Sequence, residues 1–242
     1  MSFEVVEEQQ NDQEQPPERE RFGVPSYTCI LIACFIAVTA AQFYAGLGPS
    51  IESAGFVKPL FLRGEYWRIL TGAALHGGLL HIFFNSYAFY SFGRLFEFLS
   101  NRAHLAIVFL LAAIGGGILS LIFMPDGISV GASGGILGVV SYLAVYAFKR
   151  RQFVSPEFRK NLLINIGFIL IFGFILYEVI DNYGHIGGLL VGGIYGLIQI
   201  PSDPYVDPRE ANTSAATAGL IALGTFIAVS AFSIYLILSP AL

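Results

Sequence analysis

The chain has 242 residues, of which 55% are hydrophobic, 12% are charged and 27 are glycine, with a formal net charge of −4. A soluble domain carries roughly 25% charged residues, so this composition excludes an ordinary soluble globule, and its apolar content excludes a disordered chain. The 13 Lys and Arg form no basic patch for nucleic acid. Cys29 and Cys34 lie five apart in one apolar run and suggest neither a disulfide framework nor a metal site.

Residues 1–22 are rich in Glu and Gln, with two prolines, and read as a disordered acidic tail rather than a basic transit peptide. Seven apolar runs follow, at 27–47, 69–92, 104–124, 132–148, 162–180, 184–200 and 216–238. A helix needs about 20 mostly apolar residues to cross a bilayer. Lipid demands that backbone groups pair within the segment, and no alternating pattern suggests a barrel, so all seven are expected to be helices. The first run is read as a retained helix, not a cleaved signal. The connection 48–68 is long and apolar, and is expected to fold against the membrane surface with Trp67 as an interfacial anchor. With the N-terminus cytoplasmic, ten Lys and Arg fall in inner segments, led by the cluster from Lys149 to Lys160. Only Lys58, Arg63 and Arg68 fall outside. The positive-inside rule therefore places the N-terminus in the cytoplasm and the C-terminus outside.

Polar groups inside spans are costly, so their positions point to function. The second run carries His76, His81 and Asn85. The fourth opens with Ser133 between Gly131 and Gly134, and the sixth with His185 among glycines. These three runs cross in the same direction, so Ser133, His185 and His81, each near the start of its run, share a depth toward the outer face. Gly184, Gly188, Gly192 and Gly196 repeat every four residues, as do Gly134 and Gly138. Such small-residue faces let helices approach closely and can bring Ser133 to His185. A serine hydroxyl is a weak nucleophile until a base takes its proton, and imidazole, with an unperturbed pKa of about 6.5, is a natural base. His81 and Asn85 are four apart on one helix face. With the free backbone N–H groups at the start of the Ser133 helix, they can stabilise an oxyanion. Asp181 is placed in the outer loop, so a Ser–His dyad is expected rather than a triad.

Each feature also has a plainer reading. Gly-x-Ser-Gly and the glycine repeat can be packing alone, a buried His can bond a carbonyl, and Asn85 can simply join two helices. His104 reads as a surface residue. Glu97 with Arg94 reads as a structural ion pair, and Trp67 and Arg68 as loop anchors. The joint pattern on three runs favours chemistry.

That pattern resembles the rhomboid intramembrane serine proteases. The matching residues are Trp67-Arg68, His76-x4-His81-x3-Asn85, Glu97, Gly131-Ala132-Ser133-Gly134 and His185-x-Gly187-Gly188. The resemblance implies an all-α polytopic membrane protein. It would have a six-transmembrane catalytic core at 23–200, with 201–242 forming a linker and a seventh transmembrane helix. It implies Ser133 as nucleophile, His185 as general base, and His81 and Asn85 with the Ser133 amide as oxyanion donors. His76, Trp67, Arg68 and Glu97 would line a water path or support the fold. Many family members carry an aromatic residue four positions after the serine, where this chain has Leu137.

The expected activity is cleavage of transmembrane segments of other membrane proteins, within the lipid bilayer and most simply in a cell membrane. It needs no metal or organic cofactor, and HExxH is absent. Two alternatives are a rhomboid-like pseudoprotease that binds transmembrane clients without cutting them, and a transporter. No inverted repeat supports the latter.

Overall fold

A computed structural model describes residues 24–176 and 180–239; the expected tail at 1–22 lies outside them. The elements in chain order are α1 (Ser26–Ala45), α2 (Leu47–Ala54), β1 (Phe56–Val57), α3 (Lys58–Leu62), α4 (Arg68–Ala74), α5 (Leu79–Leu99), α6 (Arg102–Phe123), β2 (Ile128–Ser129), α7 (Ser133–Lys149), α8 (Pro156–Ile175), α9 (Asn182–Gln199) and α10 (Thr213–Leu238). The fold is that of an all-α polytopic membrane protein. Among the described residues, α1, α6, α8 and α10 are long and apolar enough to cross a membrane, and α7 is apolar but shorter.

Local chemistry sets the helix starts. The side chains of Asn101, Ser155, Asp181 and Asn212 accept from backbone N–H groups in the first turns of α6, α8, α9 and α10. Each satisfies a donor that has no intrahelical partner. The start of α1 is served from a distance: Glu97 on α5 accepts from both the amide and the hydroxyl of Thr28, each at 2.7 Å.

At the centre, Phe35 of α1 touches Phe89 of α5, Phe109 of α6 and Phe226 of α10, with ring centroids 5.7–5.8 Å apart. All four are fully buried, so α10 belongs to the core. Beside this aromatic knot, α6, α7 and α9 pack backbone to backbone. A Cβ at Gly188 would overlap the carbonyl of Gly134, one at Gly192 the carbonyl of Gly138, and one at Gly187 the carbonyl of Gly115.

Two sequence expectations change, and one connection gains detail. The run 69–92 is two helices, α4 and α5, separated at residues 75–78. Gln42 on α1 explains the break: its amide donates to the carbonyl of His76 at 3.1 Å and accepts from the His76 amide at 2.9 Å. Both backbone groups are satisfied without a helix, and Gly78, at φ +143°, turns the chain into α5. The connection 48–68 contains α2, β1 and α3, and β1 pairs antiparallel with β2 in a ladder that local pattern did not suggest. His104 is not a surface residue. It is buried, and its Nδ1 meets the Tyr195 hydroxyl of α9 at 2.7 Å.

Candidate active site

The helices α5, α7 and α9 each begin at the same end of the bundle. Ser133 is the first residue of α7, His185 the fourth of α9 and His81 the third of α5. The glycine contacts between α7 and α9 bring the Ser133 Oγ to 2.9 Å from the His185 Nε2. The pair opens into a small cleft bounded by Phe56, Ile69, Gly72, Ser129 and Asp181.

When Nε2 of a neutral His185 accepts from the Ser133 hydroxyl, Nδ1 carries the ring proton. That Nδ1 is buried and has no hydrogen-bond partner among the described residues. Asp181 caps α9 and accepts from Ser120, Ser129 and the Gly184 amide, but its carboxylate does not bond the His185 ring. Among the described residues the hydroxyl–imidazole arrangement is two-membered.

Donors converge two residues before the serine. Nδ1 of His81 accepts from the Gly77 amide at 3.1 Å, so the proton of the neutral ring sits on Nε2. A Cβ on Gly131 would lie 2.7 Å from this Nε2 and 3.5 Å from the Asn85 Nδ2. Gly131 has φ +125° and no side chain, which leaves that space open. The Asn85 Nδ2 is buried without a partner among the described residues. An unpaired buried donor beside a hydroxyl–imidazole pair is what a developing oxyanion requires. The first amides of α7 add helix N–H groups at the same end.

The remaining sequence candidates lie around this centre. His76 is fully buried, with Nδ1 3.3 Å from Thr39 and its ring edge-on to His81 at 5.2 Å. Arg68 is buried and donates to the carbonyls of Glu52 and Gly55 and to the Glu65 carboxylate, joining α4 to the end of α2. Trp67 is partly exposed and packs edge-on against Phe232 of α10 at 6.0 Å. Glu97 sits on the last turn of α5, bonded to Thr28 of α1. Leu137 is buried on α7. Among the described residues, the hydrogen bonds of His76, Arg68 and Glu97 go elsewhere than to Ser133 or His185.

Sequence reasoning did not single out Lys58. It is fully buried at the start of α3, 4.0 Å from an Asp181 carboxylate oxygen. Burial pushes its ammonium pKa down, and the Asp181 charge opposes this. A lysine in an apolar connection gives no local sign that it will be enclosed.

A family profile described as "Rhomboid domain" matches residues 63–202, a stretch that includes Ser133, His185, His81 and Asn85. The chain is 33% identical over 177 residues to "Rhomboid protease GluP" of Bacillus subtilis (strain 168), covering 72% of this chain and 34% of that protein. It is 30% identical over 187 residues to "RHOMBOID-like protein 6, mitochondrial" of Arabidopsis thaliana, covering 71% and 58%. It is also 29% identical over 137 residues to "Inactive rhomboid protein 1" of Rattus norvegicus, covering 57% and 16%. The chain thus spans about a third to somewhat over half of the length of the first two relatives.

Proposed function

Because this chain belongs to the rhomboid family, we propose that it is an intramembrane serine endopeptidase that cuts transmembrane segments of other membrane proteins with a Ser133–His185 dyad. The observation that carries this reading is the 2.9 Å approach of the Ser133 hydroxyl to the His185 Nε2. As the Ser133 oxygen attacks a substrate carbonyl, Nε2 takes its proton. The imidazolium then returns that proton to the leaving amine, and water completes the hydrolysis of the acyl-enzyme by the same relay. The His81 Nε2–H and the Asn85 amide donate to the oxyanion, beside the Ser133 amide.

A helical substrate carbonyl is already hydrogen-bonded, so the segment to be cut must unwind before it reaches Ser133. Helix-destabilising residues near the cut are expected in substrates. In this reading the dyad opens toward the outer face of a cell membrane, with the N-terminus cytoplasmic and the C-terminus outside.

The test is covalent labelling of the purified protein in detergent with a fluorophosphonate, alongside cleavage of a single-span substrate. Labelling at Ser133, and loss of both signals in Ser133→Ala and His185→Ala, is the expected result. Full cleavage by both variants overturns the mechanism. Tight binding of transmembrane clients without labelling or cleavage would instead align the chain with its inactive relative.

A further inference from the structure

The short stretch 56–58 touches the approaches to both halves of the dyad. Phe56 and Val57 pair with Ser129 and Ile128 of β2, just ahead of Ser133, and the Lys58 amide donates to the Gly127 carbonyl at 3.2 Å. The Lys58 side chain meets the other approach. Its Nζ is buried, has no hydrogen-bond partner among the described residues, and lies 4.0 Å from Oδ2 of Asp181.

Asp181 directly precedes α9. Its side chain accepts from the Gly184 amide at 2.8 Å, and its backbone carbonyl accepts from the His185 amide at 3.1 Å. Oδ2 also accepts from Ser120 of α6 and, at 2.6 Å, from Ser129 of β2. One carboxylate thus joins the first turn of α9 to α6, β2 and α3. An asparagine caps a helix as well as an aspartate does, so the cap alone does not call for a charge. The buried ammonium does, because a buried ion that loses its counter-ion is strongly unfavourable.

We infer that Lys58 and Asp181 are a positioning pair for the dyad: their charge contact braces the α1–α4 connection against the first turn of α9 and, with the β1–β2 ladder, holds Ser133 and His185 at bonding distance. The inference rests on the proposed catalytic role of that dyad. Lys58 lies before the residues matched by the family profile, so the brace joins a flanking segment to the matched region.

The experiment is a double-mutant cycle on the full chain in detergent. It reads the rate of fluorophosphonate labelling at Ser133, kcat and KM on a single-span substrate, and the unfolding temperature. Asp181→Asn keeps a cap but strands the ammonium. Displacements of about 1 Å can cost on the order of 100-fold in rate, so labelling is expected to slow by roughly tenfold or more, with kcat lowered and KM unchanged. Lys58→Met leaves Asp181 its three hydrogen-bond donors and is expected to slow labelling only about threefold. The double variant strands no charge, and its rate is expected to recover to within about threefold of wild type, a clear departure from additivity. Additive losses, a double variant as slow as Asp181→Asn, or a lowered unfolding temperature with unchanged labelling would each overturn the brace. Should Asp181→Asn fail to fold, recovery of folding and labelling in the double variant supports the pair, and failure to recover overturns it. An unlabelled wild type removes the hydrolase reading and the brace together, whereas a labelled wild type with additive variants removes the brace alone.

Discussion

At the scale of single residues, the proposed chemistry depends on one space left empty and on oxyanion donors, of which the Asn85 Nδ2 is buried without a partner among the described residues. Gly131 leaves the space: a methyl group there would press on the His81 imidazole at 2.7 Å, on a backbone with φ +125°. Gly131→Ala is expected to abolish fluorophosphonate labelling, through both strain and lost donor geometry. In the proposed mechanism Asn85 supplies one of the donors. Asn85→Ala is expected to lower kcat by about 100- to 1000-fold, the usual effect of deleting one oxyanion donor, while labelling at Ser133 is slowed but retained. Equal kcat in wild type and variant would remove Asn85 from the chemistry. In the proposed mechanism His185 must be unprotonated at Nε2 to accept the Ser133 proton, so activity is expected to fall on acidification as the ring takes up its second proton. A flat rate from about pH 8 to about pH 4 would argue against the imidazole as base.

At the scale of helices, close approach of backbones sets the distance between Ser133 and His185. Gly188 and Gly192 of α9 lie against the carbonyls of Gly134 and Gly138 of α7, with no room for a Cβ. Nothing lies within 4 Å of a Cβ added to Gly167 on α8. The same substitution should therefore have opposite results at the two sites. Gly188→Ala is expected to cost about 1–3 kcal/mol by overpacking and to separate the dyad. Gly167→Ala is expected to be neutral or to gain up to about 1 kcal/mol from helix propensity. Thermal unfolding in detergent, with labelling rates measured well below the transition, distinguishes these outcomes. Similar behaviour of the two variants would refute the glycine-contact account.

For the molecule as a whole, α10 is part of the load that holds the bundle together, although it follows the residues matched by the family profile. Its Phe226 is fully buried against Phe35 and Phe109. The connection into α10 is tied down by Arg150, which donates to the carbonyls of Pro201, Asp203 and Val206. Truncating a buried Phe in a soluble core costs about 3–5 kcal/mol. In lipid the transfer from water contributes less, and the lost packing remains. Phe226→Ala is accordingly expected to destabilise by about 3 kcal/mol while leaving Ser133 reactive at low temperature. A loss of labelling without a loss of stability would place α10 in the site rather than in its support.

The class of molecule was legible in the order of residues alone, because lipid admits apolar runs that satisfy their own backbone. That order also marked Ser133, His185, His81 and Asn85, because polar groups stand out in such runs and glycines recur beside them. Tertiary structure decided what depends on residues far apart in the chain. Gln42 breaks the second run at His76 by supplying both of its backbone partners. Tyr195 reaches back to His104 and encloses a residue that local context leaves at a surface. Lys58 and Asp181 come together only when the α1–α4 connection folds over α6 and the start of α9. A local window records propensity and polarity, but the satisfaction of a buried charge or backbone group is a property of partners that the window does not contain.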